Sequence, residues 1–490
     1  MSGGPLTLAR VVEGLAGPGH VFAAQAALEQ PISQTVVDSR RAVPGALFVA
    51  LKGERADGHT YVADAFSRGA VAALIEHECG IEAPVLDLSA EQPQWPPTWS
   101  LPVLLKVRNC LAALQQLAAF WRQQHTVRVI GITGSIGKTT TKELTAAVLA
   151  RRYLTLKSEA SYNNEIGLPL ALLGLTDRHE RAVLEMGMYD IGEIAGLARI
   201  AQPHVGVVTI VAPVHLERLG TIERIAQAKA ELVQALPPAP VGVAILNYDD
   251  ERVRAMRQLT QARVVTYGLS PQADLWADQI ESLGLQGIHF QLHYGDEVLY
   301  VRIPLLGRHS VHTALRAAAV GLVEGLTWQE IIEGLRGPSA QLRLVAVPGP
   351  RGSIILDDTY NASPESTIAA LNLLDELDGR KIAVLGDMRE LGRYERDGHV
   401  MVGMRALEVT DLLITVGPQA RIIAETALRW GMPGDCLYMV ETNAEAIALL
   451  EKLITAGDVV LVKGSRVLQM EEIVGALANT SAERTAWDLH

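Results

Sequence analysis

Residues 127–150, VRVIGITGSIGKTTTKELTAAVLA, constrain the fold more than any other stretch of the chain. A β-branched run ends in Gly134, Ser135, Ile136, Gly137, Lys138, Thr139 and Thr140, and a helical pattern follows at once. Glycines let consecutive backbone N–H groups close around phosphate oxygens, and the new helix adds its positive end. Lys138 reaches outward to further phosphates, while the Thr139 hydroxyl suits a magnesium ion. Ile132 stands where the general phosphate-loop pattern has its first glycine. A Gly-rich strand–helix turn with an exposed lysine is the plainer alternative. A strand before, a helix after and an intact GKTT favour nucleotide binding.

Such a loop belongs at the carboxyl edge of a parallel sheet, and the surrounding pattern agrees. VRVIGIT, AVLEMG, GVVTI and AILNYDD are apolar, strand-length runs mostly separated by helical patterns. Between residues 263 and 306 the pattern changes to alternating β segments with a Gly295-Asp296 turn, which predicts a small antiparallel insert. HTALRAAAVGLVEG and WQEIIEGL then lead to Gly337-Pro338, the second expected boundary. SIILDD, KIAVLGD, DLLITVG and DVVLVKG repeat the strand–helix rhythm and predict a doubly wound domain. Upstream, TVVDSR, ALFVALKG, VAALIE and PVLDL read as short strands. The proline-rich 91–102 reads as a linker. The fold expected is α/β in three domains: 1–104, 105–337 around the phosphate loop, and a Rossmann-like 338–490.

At 490 residues the chain is too long for one core. Its net charge of -12 and lack of a basic run disfavour nucleic acid as a partner. Cys79, Cys110 and Cys436 lie far apart and match no metal-ligand spacing, so reduced thiols are expected. MSGGPLTLAR has no apolar signal core, and no apolar run approaches the roughly 18 residues that cross a bilayer. An intracellular protein without an integral membrane segment is the expectation.

Three further residues bear on chemistry. Glu185 ends one strand of the phosphate-loop sheet, and His215 follows another in APVHLERLG. Taken alone they are as often a surface carboxylate and a loop histidine; their placement after successive strands favours a divalent cation. Lys229 lies in IAQAKAELV, where Ala226, Ala230 and Val233 share its helical side. A snorkelling surface lysine is the reading its own neighbourhood favours.

GSIGKTT (134–140), YNNEIGLP (162–169), LEMG (184–187), HLE (215–217) and AKAE (228–231) together resemble the ATPase domain of the Mur ligases, cytoplasmic enzymes of peptidoglycan precursor synthesis. DSR (38–40), PGALFVALKGERADGH (44–59), ILDDTYNASP (355–364), LGDMRELG (385–392) and LVKGSR (461–466) resemble the branch that adds D-alanyl-D-alanine to a UDP-N-acetylmuramoyl-tripeptide. The resemblance runs over nearly the whole chain.

It implies that the first domain holds the UDP end of the muramoyl peptide, with Ser39 and Arg40 near the nucleotide. Residues 134–140 and Asn164 would hold ATP. Thr139, Glu185, His215 and Lys229 would serve Mg2+, with Lys229 as a carbamate. That reverses the reading of Lys229 from its neighbours alone. Arg343 and Asp358 would face the nucleotide; Asn361, Lys463 and Ser465 would face substrate. The implied enzyme works as a monomer through an acyl phosphate, closing about linkers near residues 100 and 338. Two asparagines usual in the family are replaced here by Ser310 and Thr313, and a third by Ser363. These departures bear on adenine contacts and substrate fit.

Overall fold

The computed structural model describes residues 4–17, 26–53, 56–90, 100–159, 162–213, 216–337 and 344–478. Residues 91–99 of the expected linker lie outside the described residues. Three sheets organise the chain, and each is mostly parallel.

The first sheet holds β1 (Thr35–Val36), β2 (Leu47–Val49), β3 (Ala72–Ile75), β4 (Val85–Asp87) and β5 (Val103–Lys106), all parallel, in the order β1-β2-β3-β5-β4. β5 slots between β3 and β4, so the boundary expected at residue 104 falls inside a strand. That pairing is non-local and leaves no mark in the prolines just before it. The helix Cys110–Gln123 follows, its N-terminus capped by the Asn109 side-chain Oδ1, which accepts from Ala112 N–H at 2.7 Å. Such a cap is worth about 1 kcal/mol. The buried side of this helix, Leu114, Leu117 and Trp121, joins one core with Leu47 and Leu105 of the first sheet and Leu184 of the second. Each such side chain contributes roughly 1.5–3 kcal/mol on leaving water, so the first two sheets are held on a common apolar layer.

The second sheet holds β6 (Arg128–Thr133), β7 (Thr155–Lys157), β8 (Arg181–Glu185), β9 (Val205–Val208), β10 (Val243–Asn247), β11 (Arg263–Gly268), β12 (Leu275–Ser282), β13 (Ile288–Tyr294) and β14 (Glu297–Ile303). Its order is β14-β13-β12-β11-β10-β9-β6-β8-β7. The segment 263–306 is therefore not a separate insert. β11 pairs parallel with β10 and β12 parallel with β11, and the chain turns antiparallel only at β13 and β14. The expected hairpin at Gly295-Asp296 is present: Tyr294 faces Glu297, and Gly295 takes φ 57° at the first turn position.

The third sheet holds β15 (Val345–Pro348), β16 (Ile354–Asp357), β17 (Lys381–Gly386), β18 (Leu412–Val416), β19 (Leu437–Val440) and β20 (Val459–Lys463), in the order β15-β16-β20-β17-β18-β19. Only β15 runs antiparallel. Alternate residues feed two cores: Leu356, Ala383, Leu413 and Leu461 on one face, Ile355, Val384, Ile414 and Val460 on the other. A sheet buried on both faces is the doubly wound arrangement expected from its continuous apolar strands. No described helix is long and apolar enough to cross a membrane. Of the three cysteines, none is in a disulfide; Cys110 is fully buried, which pushes its thiol up to about 12.

Candidate active site

β6 lies between β8 and β9, where the strand order reverses, and a crevice opens beyond the carboxyl ends of strands at such a point. The loop leaving β6 is pinned from both sides. The Thr133 hydroxyl donates to Met186 carbonyl oxygen at 2.9 Å, and Thr209 Oγ1 donates to Ile136 carbonyl oxygen at 2.6 Å. Ser135 N–H donates to Ile210 carbonyl oxygen at 2.8 Å, and Ser135 Oγ donates to that of Ala212 at 3.0 Å. Gly134 has φ 143°, and a Cβ there would lie 1.8 Å from Thr209 Oγ1. Only glycine lets the loop approach β9 this closely. Gly137, at φ 81°, opens the helix Lys138–Leu149.

Lys138 Nζ curls over this loop, donating to Gly134 carbonyl oxygen at 2.8 Å and Ser135 carbonyl oxygen at 3.3 Å. Thr139 Oγ1 donates to Glu185 Oε2 at 2.7 Å, and Asn163 Nδ2 donates to Glu185 Oε1 at 2.8 Å. Glu185 closes β8 and is 2% exposed. Asn163 escaped the sequence reading, which chose its neighbour Asn164 from the pair in YNNEIG. Asn164 also lines the cleft, but its Oδ1 accepts from Gly167 N–H at 2.8 Å.

Lys229, on the helix Ile222–Gln234, is also 2% exposed. The surface reading of this lysine is therefore wrong: Ala230 and Val233 are buried on the same helix, and the amine lines the crevice. Burial, and then the charge of Lys138, hold it well below the ordinary lysine range.

Opposite stand the carboxyl ends of the third sheet's strands. Lys463 ends β20, is almost wholly buried, and donates to Asp358 Oδ2 at 2.7 Å and Asn361 carbonyl oxygen at 2.9 Å. Ser465 Oγ accepts from Arg389 N–H at 2.8 Å, and Ser465 N–H donates to Asp387 carbonyl oxygen at 3.0 Å. The buried Asp387 carboxylate also escaped the sequence reading. It accepts from Gln419 and Ala420 N–H at 2.9 and 2.8 Å and faces Arg389 Nη2 at 2.9 Å. Together these groups enclose one cleft of about 800 Å³, with Ser135 to Thr140, Glu185 and Lys229 on one wall and Asp358, Asn361, Lys463 and Ser465 on the other.

Ser39 and Arg40 do not line this cleft. They form a short turn on the first domain, where Arg40 Nη2 meets Asp38 Oδ2 at 2.7 Å and holds that carboxyl below its usual range. His215 and Arg343 lie outside the described residues. The three replaced asparagines have local partners. Ser310 Oγ donates to Leu306 carbonyl oxygen at 2.7 Å, Thr313 Oγ1 accepts from Arg316, and Ser363 caps the helix Pro364–Asp375.

A phosphate loop at a switch point, a buried carboxylate and amine beside it, and a second doubly wound sheet facing it define a nucleotide-dependent enzyme working between two domains. Sequence models of the Mur ligase family match in chain order: the catalytic domain at 31–122, the middle domain at 132–321 and the glutamate ligase domain at 342–466. A Mycobacterium tuberculosis UDP-N-acetylmuramoyl-tripeptide--D-alanyl-D-alanine ligase is 36% identical, covering 96% of this chain and 97% of its own. MurF from Acinetobacter baumannii superposes with a TM-score of 0.80 at 32% identity, covering 96% and 98% of the two chains. The MurF ligase of Thermotoga maritima in complex with ADP gives 0.73 at 27% identity, covering 91% and 97%. The chain belongs to the Mur ligase family and is an ATP-dependent, amide-bond-forming ligase.

Proposed function

We propose that this enzyme joins D-alanyl-D-alanine to a UDP-N-acetylmuramoyl-tripeptide, giving the UDP-linked pentapeptide of peptidoglycan synthesis with ADP and phosphate. The observation carrying the chemistry is the single cleft that sets Lys138 and Thr139 against Asp358, Asn361 and Lys463. The relatives of the preceding section supply the substrate identities.

The tripeptide's terminal carboxylate attacks the γ-phosphorus of ATP, and ADP leaves. The amine of D-alanyl-D-alanine then attacks the acyl phosphate carbon, the amide forms, and phosphate leaves with loss of a proton. Two anions must meet in the first step, so the enzyme's task is positioning and charge neutralisation. Lys138, which donates to loop carbonyls here, would turn to the outer phosphates, and backbone N–H groups of residues 134–140 would hold the rest. Thr139 and Glu185 present hard oxygen donors 2.7 Å apart, which fits Mg2+; Lys229 would join them as a carbamate, and the family resemblance adds His215 to the set. When bound, the ion adds positive charge along the phosphates.

Across the cleft, Asp358 serves the nucleotide, while Asn361, Lys463 and Ser465 serve the dipeptide end; Arg343 joins Asp358 by the family resemblance alone. Ser39 and Arg40 serve the UDP end. The matched segments and the three sheets support three domains, divided past β5 rather than at residue 104 and again near residue 338. The enzyme acts in the cytoplasm, as a monomer.

The test is phosphate release from ATP with purified protein, UDP-N-acetylmuramoyl-tripeptide and D-alanyl-D-alanine, omitting each in turn. Release that requires all three, with the UDP-pentapeptide seen by mass spectrometry, is expected. Tripeptide-dependent release indifferent to the dipeptide would move the amine substrate elsewhere.

A further inference from the structure

Arg316, on the helix Ser310–Val323, is a cation that neither the phosphate-loop motif nor the family resemblance singled out. It is 5% exposed, yet it lines the cleft. Its Nη2 donates to Thr313 Oγ1 at 2.7 Å, and its guanidinium stands 5.8 Å from the centre of the buried Tyr267 ring. Its Nε has no hydrogen-bond partner, and among the described residues no carboxylate stands in ion-pair range of it. Burial pushes the guanidinium below its ordinary range, with only the Tyr267 phenol offsetting it.

A buried guanidinium with no carboxylate beside it is costly, because Thr313 Oγ1 and the Tyr267 phenol return only part of its lost hydration. Its position shows what would return it. A Cβ built on Gly137 would lie 3.3 Å from Arg316 Nη2 and 3.5 Å from Nη1. The guanidinium fork therefore stands over the second glycine of the phosphate loop, one residue from Lys138. A planar fork of N–H donors at that place matches phosphate oxygens better than any other ligand of the cleft.

We propose that Arg316 is a nucleotide-positioning residue whose guanidinium binds the phosphate chain of ATP from the side opposite the loop backbone. The inference rests on the nucleotide reading of the cleft. Arg316 and Lys138 then hold the phosphates from two helices, and the charge that destabilises the nucleotide-free fold is neutralised only when nucleotide arrives. Glycine at 137 is required for its positive φ, and a Cβ there would also crowd the guanidinium tip at 3.3 Å.

The experiment is calorimetric binding of ADP to the full chain, comparing wild type with Arg316→Met, Arg316→Lys and Lys138→Met, beside thermal melts without nucleotide. Arg316→Met should weaken ADP at least tenfold while the nucleotide-free melting temperature holds or rises, as expected when an unpaired buried charge becomes an apolar chain of similar length. Arg316→Lys should recover part of the affinity. A purely structural arginine would behave oppositely, with Arg316→Met melting lower and binding ADP as tightly as wild type whenever folded. That result, or equal binding with an unchanged melt, overturns the inference alone. A wild-type protein that binds no ADP overturns it together with the nucleotide reading.

Discussion

Lys138 Nζ donates to two backbone carbonyls of the loop it caps, and neither acceptor needs a cation. Replacing it with Met should therefore leave the fold intact while slowing turnover on the order of 10²–10³-fold, as when one preorganised transition-state donor is lost. Steady-state phosphate release beside a thermal melt checks this. Lys229 makes a sharper case. Burial holds this amine well below the ordinary lysine range, which favours the uncharged form that combines with CO2, losing a proton to leave an N-carboxylate in the cleft that Glu185 also lines. Enzyme purged of CO2 should lose activity and regain it with bicarbonate. Lys229→Met should be inactive in both conditions; activity in the purged wild type would remove the carbamate from the account. These residues differ in how they could be read. Lys138 sits in a contiguous motif, so its place at a strand–helix loop was legible from seven letters. Lys229 was misjudged from its own helix because burial depends on the sheet it meets. Asp387 and Arg316 were missed because a carboxylate after a strand and an arginine in an alanine-rich helix carry no local signal of what faces them.

Elements behave similarly. Continuous apolar strands and the Gly295-Asp296 hairpin were readable because each pattern is local. β5, β15 and β19 are short, and only their partners make them strands. The helix Trp328–Leu335 shows how one such element is secured. Thr327 caps it, and Glu330 returns the bond, accepting from Thr327 N–H at 2.7 Å. Gly334 fits against the helix Lys138–Leu149, where a Cβ would lie 2.5 Å from Val148 Cα. The Arg152 guanidinium just beyond that helix reaches the same carboxylate at 2.6 and 2.9 Å. Arg152 first, then the Thr327 cap, hold Glu330 down to about 2. Its folded value thus lies below the unfolded value of about 4.3. The contribution is present above that pH and is lost as pH falls toward 2. Glu330→Gln should be less stable than wild type at pH 6, and the gap should close by pH 2. Urea unfolding across that range measures it; a gap unchanged at low pH would mean the carboxylate's charge is irrelevant.

At the scale of the molecule, the proposed chemistry needs the third sheet to meet the phosphate loop, and one contact between the two domains is built around a glycine. Gly392, in the third domain's turn Gly392–Tyr394, stands against the helix Leu216–Leu219 of the central domain. A Cβ there would lie 2.7 Å from the Glu217 Cα and backbone nitrogen, and Gly392 has φ 53°. Backbone atoms cannot step aside as a side-chain tip can, so a larger residue must push the two domains apart. Gly392→Val adds a β-branched side chain where φ is positive, a conformation costing of order 1–3 kcal/mol. The phosphate loop lies wholly in the central domain, so ADP binding should survive within a few-fold. Turnover should fall on the order of 10²-fold, because a shift of about 1 Å between reacting groups suffices for that. Small-angle scattering should show a larger radius of gyration for the variant with nucleotide bound, and single-turnover phosphate transfer should slow while nucleotide affinity holds. Equal radius and equal turnover would show that the two domains meet productively without this contact. A variant that loses ADP affinity as well would instead place Gly392 in the fold of the site rather than in its closure.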